Sequence, residues 1–398
     1  MWQNLPRDLK VLLYSTILAN ISTSMMQPFM PLYILALGGT VAQVGLFFTV
    51  GSLSTAVLRP LGGWFSDSIG RVQAVAIGGV FSFAGFLIYA LSPNWQTLMV
   101  GTVVISGGRS IIGPSFQSFI AESAPEGQTA QTFGLVNGIF TSCRIIGPIL
   151  AGWLIARYEL WSIFGVGAVF GGLAMVLRIL PARGRPFAWH NVQLRELGHG
   201  LHKLAIAVGA GGLLTWLFIT DSLRDMGIQS YEHLHTVLLE TRGIGEQEIG
   251  TIFSFSAVIY LLVSLFGARL VDKWGPVRAL AASGFLQAGA LLVLVMAPER
   301  PIFWLFALLS AVALGLGDPA FDTFLAQSTS AKTLGLTFGL FSSAISILST
   351  PMPYLGSLLW DGVWFGAPFV MGALFLTLTG VLTWVVLPKK VVSSQPVS

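Results

Sequence analysis

Among the ionisable residues inside apolar stretches of this 398-residue chain, seven are candidates: Arg109, Arg144, Asp221, Arg224, Asp225, Asp318 and Asp322. A charge in hydrocarbon is expensive, so each is a candidate for function. Asp318 and Asp322 stand four apart, as do Asp221 and Asp225, with Arg224 beside the second pair. Four residues make about one helical turn, so each pair shares a face. Two carboxylates on one face repel when both are ionised, and a low dielectric disfavours the charged form again. Both effects favour holding a proton near neutral pH, which suits a site that takes up and releases protons. Asp318 and Asp322 are the first candidates for proton coupling, and Asp225 and Asp221 the second. Two other readings compete. Asp318 and Asp322 could be ion-pair partners of Arg144 or Arg109, and Asp221, Arg224 and Asp225 could form an internal salt-bridge cluster. Arg109 and Arg144 suit a central cavity, or the anchoring of an anionic group or a carboxylate. Glu122, at the end of its stretch, reads as an exposed loop charge.

Bond-making chemistry is poorly supplied. No nucleophile–base pairing, phosphate loop, H-E-x-x-H or plausibly placed G-x-S-x-G is present, so an enzyme is not expected. His233 and His235 are two apart, which puts them on different faces of a helix. A zinc site is not expected there, and no cofactor or metal is implied. Both read as interfacial polar residues, with pH sensing as the rival reading. Cys143 is the single cysteine, so no disulfide can form within the chain.

These residues must be positioned by elements lying in lipid. The chain is 54% hydrophobic and 10% charged, against about 25% charged in soluble domains. Apolar stretches long enough to cross a bilayer fall near 11–36, 42–64, 74–92, 96–121, 131–156 and 161–180. Six more fall near 204–239, 248–270, 279–297, 302–326, 335–357 and 364–387. All are expected to be helices, because unpaired backbone groups are not tolerated in hydrocarbon. The stretch 204–239 is too long for one straight crossing; Gly209, Gly211 and Gly212 are the expected break, unless its end extends outside the membrane. The N-terminal run is too long for a signal peptide and reads as a retained first span.

With both termini in the cytoplasm, fifteen of the 21 Lys and Arg residues fall on the inside, and only Arg157, Arg242 and Arg300 outside. That asymmetry sets the expected topology. The net charge of +4 is spread over short loops, so nucleic acid is not an expected partner. Three regions follow: a bundle at 1–180, a cytoplasmic linker at 181–203, and a second bundle at 204–398.

The two bundles are copies. Gly62, Asp67 and Gly70 return as Gly267, Asp272 and Gly275, 205 positions later. Pro114 returns as Pro319, Phe133-Gly134-Leu135 as Phe338-Gly339-Leu340, and Pro148 as Pro353, without slippage. Duplicated halves in an apolar chain are the plan of alternating-access transporters.

With these residues in view, the chain resembles the major facilitator superfamily over nearly its whole length. Gly63, Asp67, Gly70 and Arg71 match its G-x-x-x-D-x-x-G-R signature. Gly134, Cys143, Gly147-Pro148 and Ala151-Gly152 resemble its antiporter motif, with Cys143 and Ala151 where glycine is usual. Pro28-x-x-Pro31, and Arg109 followed by Gly113, resemble the twelve-span drug:proton antiporters. One departure is that the first span carries no acidic residue; Asn20 and Gln27 are its strongly polar positions.

The resemblance implies an all-α membrane protein with twelve transmembrane helices in two pseudo-symmetric six-helix bundles. It implies proton-coupled export of a small amphipathic or drug-like solute across the cell membrane, by a monomer with no cofactor. Import of a sugar or organic anion, and flipping of a lipid or lysolipid, are the alternatives. Asn20, Gln27, Arg109, Gln117, Asn137, Arg144 and Arg224 are the expected cavity residues. Gly63, Asp67, Gly70, Arg71 and Asp272 are the expected cytoplasmic gate, with Gly62 and Gly63 allowing close packing and Arg71 completing a charge cluster. The second copy, with Pro276 in place of that arginine and Arg278 nearby, is the weaker latch. Gly147-Pro148 is expected to bend or loosen its span, and Pro353 to do the same. Gly138, Ser142, Cys143 and Gly152 are expected to admit a partner helix.

Overall fold

The computed structural model describes residues 5–125, 128–185, 212–296, 299–328 and 334–387, without the side chains at 60, 67, 130, 268 and 334–340. Among the described residues all regular structure is helical, as lipid requires of a chain that must satisfy its own backbone. The first copy runs α1 (Arg7–Met26), a 3-10 turn (Gln27–Phe29), α2 (Met30–Ala36), α3 (Val41–Ile69), α4 (Arg71–Leu91), α5 (Trp95–Ser123), α6 (Thr129–Tyr158) and α7 (Ser162–Ala182). The second runs α8 (Leu213–Gln229), a 3-10 turn (Glu232–Leu234), α9 (His235–Thr241), α10 (Glu246–Trp274), α11 (Pro276–Met296) and α12 (Arg300–Ser328). It closes with α13 (Leu334–Ser349), α14 (Met352–Gly362) and α15 (Ala367–Val386). By length and composition, α3, α4, α6, α7, α10, α11, α12 and α15 each contain a stretch able to cross a membrane.

The 205-residue offset carries into the element bounds. Both ends of α3, α4 and α5 reappear at that offset as the ends of α10, α11 and α12. The 3-10 turn Gln27–Phe29 and helix α2 reappear at the same offset as Glu232–Leu234 and α9. Pro28 belongs to the first turn, but its counterpart is His233, so the turn does not depend on proline. Packing holds the second one: His233 is buried and its Nε2 lies 2.8 Å from Ser357 Oγ, while Leu234 is fully buried.

The helix bounds bear on three expectations. The stretch read as 204–239 breaks at Ser230–Leu234; Gly212 stands outside the helix, just before the first residue of α8, and 204–211, with Gly209 and Gly211, lie outside the described residues. Pro148 lies inside α6, which runs unbroken from Thr129 to Tyr158. Pro353 sits in the first turn of α14, where a missing N–H forfeits no helical bond. The break before α14 falls at Thr350–Pro351, and Pro351 replaces Ile146 of the first copy. A second proline, absent from the first copy, therefore divides α13 from α14.

The chain divides into two compact units, one comprising Met1–Leu194 and Gly243–Ser254, the other Arg195–Arg242 and Phe255–Ser398. Of the linker expected at 181–203, residues 186–203 lie outside the described set. Each unit is held by a buried cluster drawn from matching positions. Leu12, Val72, Val75, Phe119, Ile120 and Val136 serve the first; Leu217, Val277, Leu280, Phe324, Leu325 and Phe341 serve the second.

Helix approach also repeats. A Cβ on Gly62 would lie 2.1 Å from Ser110 O, and one on Gly267 3.3 Å from its counterpart Gly315 O. Gly63, the signature glycine, has nothing within 4 Å of that point, so close packing belongs to Gly62 alone. Gly62→Ala is expected to destabilise the protein by about 1–3 kcal/mol through overpacking, whereas Gly63→Ala should gain up to about 1 kcal/mol from helix propensity. Thermal melts of the purified variants in detergent check the opposite signs. Gly70 and Gly275 both take positive φ, 100° and 86°, which lets α3 and α10 hand over to the next helix after one residue.

Candidate functional site

In the second unit, α8 presents Asp221, Arg224 and Asp225, α12 presents Asp318 and Asp322, and α10 contributes Tyr260. The i,i+3 spacing on α8 puts Arg224 Nη1 3.4 Å from Asp221 Oδ1. Arg224 Nη2 pairs with Asp318 Oδ1. Tyr260 donates its hydroxyl to Asp318 Oδ2 at 2.9 Å. One guanidinium thus bridges two carboxylates on different helices, and a phenol caps the second.

Two glycines make the site possible. A side chain on Gly317 would come within 3.3 Å of Arg224 Nη2. One on Gly315 would meet Val263 at 2.9 Å and Tyr260 O at 3.2 Å, so its absence lets α10 lie close enough for Tyr260 to reach the next turn of α12. The side chains of Arg224 and Asp221 are 12% and 14% exposed, but that of Asp318 is 40% exposed. The cluster therefore has a covered end and an open end, and Asp318 is the open one.

This arrangement redraws the expected pairing. The cation partnering Asp318 is Arg224, not Arg109 or Arg144. Asp322 is exposed one turn on, and among the described residues no cation pairs with it. Asp225 is half-buried beside Ser349. The salt-bridge reading holds for Asp221 and Arg224, and the structure extends it to Asp318 instead of Asp225. Tyr260 and Gly317 were not among the sequence candidates. A lone tyrosine in an apolar run carries no spacing pattern, and its role appears only when α10 meets α12.

Polar candidates of the first unit occupy other settings. Arg109 is exposed, and its Nη2 donates to Thr23 Oγ1 on α1 at 2.9 Å. Asn20 is half-buried and spends its amide on Thr16 O of its own helix, at 2.9 Å. Gln27, Gln117, Asn137 and Arg144 are exposed.

The expected gate is resolved in part. Arg71 Nε stands 3.3 Å from Glu122 Oε1, and Arg71 Nη1 donates to Ser66 Oγ at 3.2 Å. Glu122, read from sequence as a loop charge, is thus exposed and also the partner of Arg71. The side chain of Asp67 lies outside the described residues. In the second copy Pro276, Gln327 and Val271 stand where Arg71, Glu122 and Ser66 do, so no equivalent cluster can form; Asp272 is exposed.

Along α6, the small residues divide. Cys143 Sγ reaches Ile17 O on α1 at 3.7 Å. A Cβ on Gly147 would meet Ser24 Cβ at 2.7 Å, and one on Gly152 Glu246 O at 2.9 Å. The start of α10 is equally close: a Cβ on Gly250 would lie 2.2 Å from Pro148 O, and Ser254 donates to Ile145 O at 2.7 Å. Among the described residues nothing lies within 4 Å of a Cβ placed on Gly134 or Gly138, and Ser142 bonds back to Gly138 O. Two further readings are refined. His233 and His235 are buried within the protein, and Arg178, one of the fifteen cations read as lying on the inside, is 4% exposed inside the first unit.

A family model described as Major Facilitator Superfamily matches residues 12–231 and 218–397. Similar curated proteins include the quinolone resistance protein NorA of Staphylococcus aureus (strain COL), 22% identical over 94% of this chain and 95% of that protein. Another is the multidrug resistance protein MdtG of Serratia proteamaculans (strain 568), 24% identical over 97% of this chain and 95% of that protein. Among solved structures, a bacterial homologue of the iron transporter ferroportin in the inward-facing state has a TM-score of 0.75 at 19% identity, over 95% of this chain and 98% of that one. A peptide transporter POT in complex with sulfate has a TM-score of 0.74 at 16% identity, over 95% and 94%. At those identities the two structures bear on the fold alone.

Proposed function

The chain belongs to the major facilitator superfamily, and we propose that it is a proton-coupled exporter of small amphipathic, drug-like solutes. It is a multi-pass membrane transporter and not an enzyme. The Asp221–Arg224–Asp318 cluster carries the reading. With both carboxylates ionised it holds one net negative charge. A proton on Asp318, at the open end, leaves a neutral Arg224–Asp221 pair behind. A cationic solute and a proton are thus alternative ways to balance one charge, which is the logic of exchange. The names of the two curated relatives, each a drug-resistance protein, support export as the direction.

The eight apolar helices, with α5 and the three broken segments, supply twelve crossings in two six-helix bundles, at 1–180 and 204–398, joined by the linker at 181–203. Both termini lie in the cytoplasm of a cell-membrane monomer, and the bundles alternate access to a midplane cavity. Asn20, Gln27, Arg109, Gln117, Asn137 and Arg144 line that cavity from the first bundle. The Arg71–Glu122–Ser66 cluster latches the inner face, and the glycines at 147 and 152 let helices close at the outer one.

The reading is tested with the protein reconstituted into proteoliposomes. A cationic dye is expected to accumulate where the lumen is acidified and to leave on addition of a protonophore. Accumulation of a sugar or organic anion with, not against, the proton flux would replace export by import.

A further inference from the structure

On the outer face of the second unit, α11 and α15 enclose a groove of about 460 Å³. We propose that it binds an anionic phospholipid, with the acyl chain in the groove and the phosphate at Arg278. The proposal rests on membrane insertion and not on the direction or coupling of transport.

Two glycines bring these helices into contact. A Cβ on Gly284 would lie 2.9 Å from Leu376 O, and one on Gly380 3.0 Å from the Phe285 ring. On the outward side Ala281 and Ala282 leave a trough, walled by Phe285, Val381 and Trp384. Phe285, Val381 and Trp384 are each more than 40% exposed, so the trough opens outward onto the face that lipid covers. From Arg278 to Phe285 the trough runs along about 10 Å of helix. Its lining is apolar except at one end, where Arg278 occupies the first turn of α11 and Trp384 the last turn of α15. An indole at that height marks the headgroup level of a bilayer.

Arg278 has no structural employment. It is exposed, and among the described residues no carboxylate pairs with it. Its counterpart in the first copy is Gln73, which is buried and packed against Gly70. The cation therefore belongs to the second copy only and is not a by-product of the shared fold. A groove for a hydrocarbon chain ending in one free guanidinium at headgroup level fits a lipid phosphate. A zwitterionic headgroup brings its own cation beside Arg278 and fits less well.

Native mass spectrometry of the full chain, released from micelles carrying equal phosphatidylglycerol and phosphatidylcholine, tests this. Wild type is expected to retain phosphatidylglycerol about five-fold over phosphatidylcholine, the preference one basic residue near a bilayer surface supports. R278Q should lose the preference, R278K should keep it, and A282L, which fills the trough, should lose bound lipid of both kinds. A melt of each variant confirms folding before comparison. Retention of the preference by R278Q, or of lipid by A282L, overturns the proposal. So does protection by inorganic phosphate equal to that by phosphatidylglycerol, or a dimer that A282L abolishes, since either gives the groove another occupant.

Discussion

Asp318→Asn is expected to bring solute accumulation under a pH gradient down to the level of passive equilibration. One proton exchanged per solute across a one-unit gradient sustains about ten-fold accumulation, equivalent to roughly 1.4 kcal/mol. The amide keeps the size of the carboxyl group and can still accept from Tyr260, so the helices should stay in place. It cannot cycle a proton, and with Asp318 neutral the Arg224–Asp221 pair is permanently balanced. The accumulation ratio should therefore fall from about ten to one, with weaker binding of a cationic solute and with membrane insertion intact. Asp322→Asn is the comparison, because Asp322 lies one turn away, exposed and outside the ion-pair cluster. It should retain most of the accumulation. If D318N still concentrates solute against the gradient, the coupling proton is held elsewhere, and Asp221 and Asp225 become the groups to change.

Arg224→Met carries the second large effect, on stability. It removes the cation bridging Asp221 and Asp318 and leaves two carboxylates facing each other in a largely covered site. Breaking a buried ion pair from one side costs about 3–5 kcal/mol. In a unit of this size that lowers the melting temperature by roughly 10 °C. Adding D221N and D318N to R224M removes the stranded charges, and the triple variant should recover more than half of the loss. Melts of the single and triple variants in one detergent decide the matter. A triple variant no more stable than R224M would mean that Arg224 acts through packing and not through charge.

The fold was legible because apolar length and the 205-residue offset are local facts. Lipid forces each apolar run to satisfy its backbone internally, so run length alone implies a helix. The offset then located both copies to the residue, including turns that no motif marks, such as Glu232–Leu234. Breaks were less legible. Pro148 and Pro353 are sequence counterparts, yet one lies within a continuous helix and the other in a first turn. What separates them is Pro351, whose effect depends on where the next helix can start.

The candidate site was legible in its residue types and not in its pairs. Charges in apolar runs announced Asp221, Arg224, Asp225, Asp318 and Asp322, because water is the only cheap solvent for an ion and these positions are denied it. Spacing along one helix correctly joined Asp221 to Arg224. It also grouped Asp318 with Asp322, but it could not show that Asp318 turns to Arg224 and Tyr260 on two other helices.

The sequence by itself determined that the chain is duplicated and helical, which charges fall within its apolar runs, and where its signature loop lies. Tertiary structure alone decided which carboxylate shares Arg224, that Gly62 and not Gly63 carries close packing, and that Glu122 answers Arg71. The reason is range. Hydropathy and periodicity are set by neighbours along the chain, while an ion pair is set by which helices cross and where a missing side chain lets them touch.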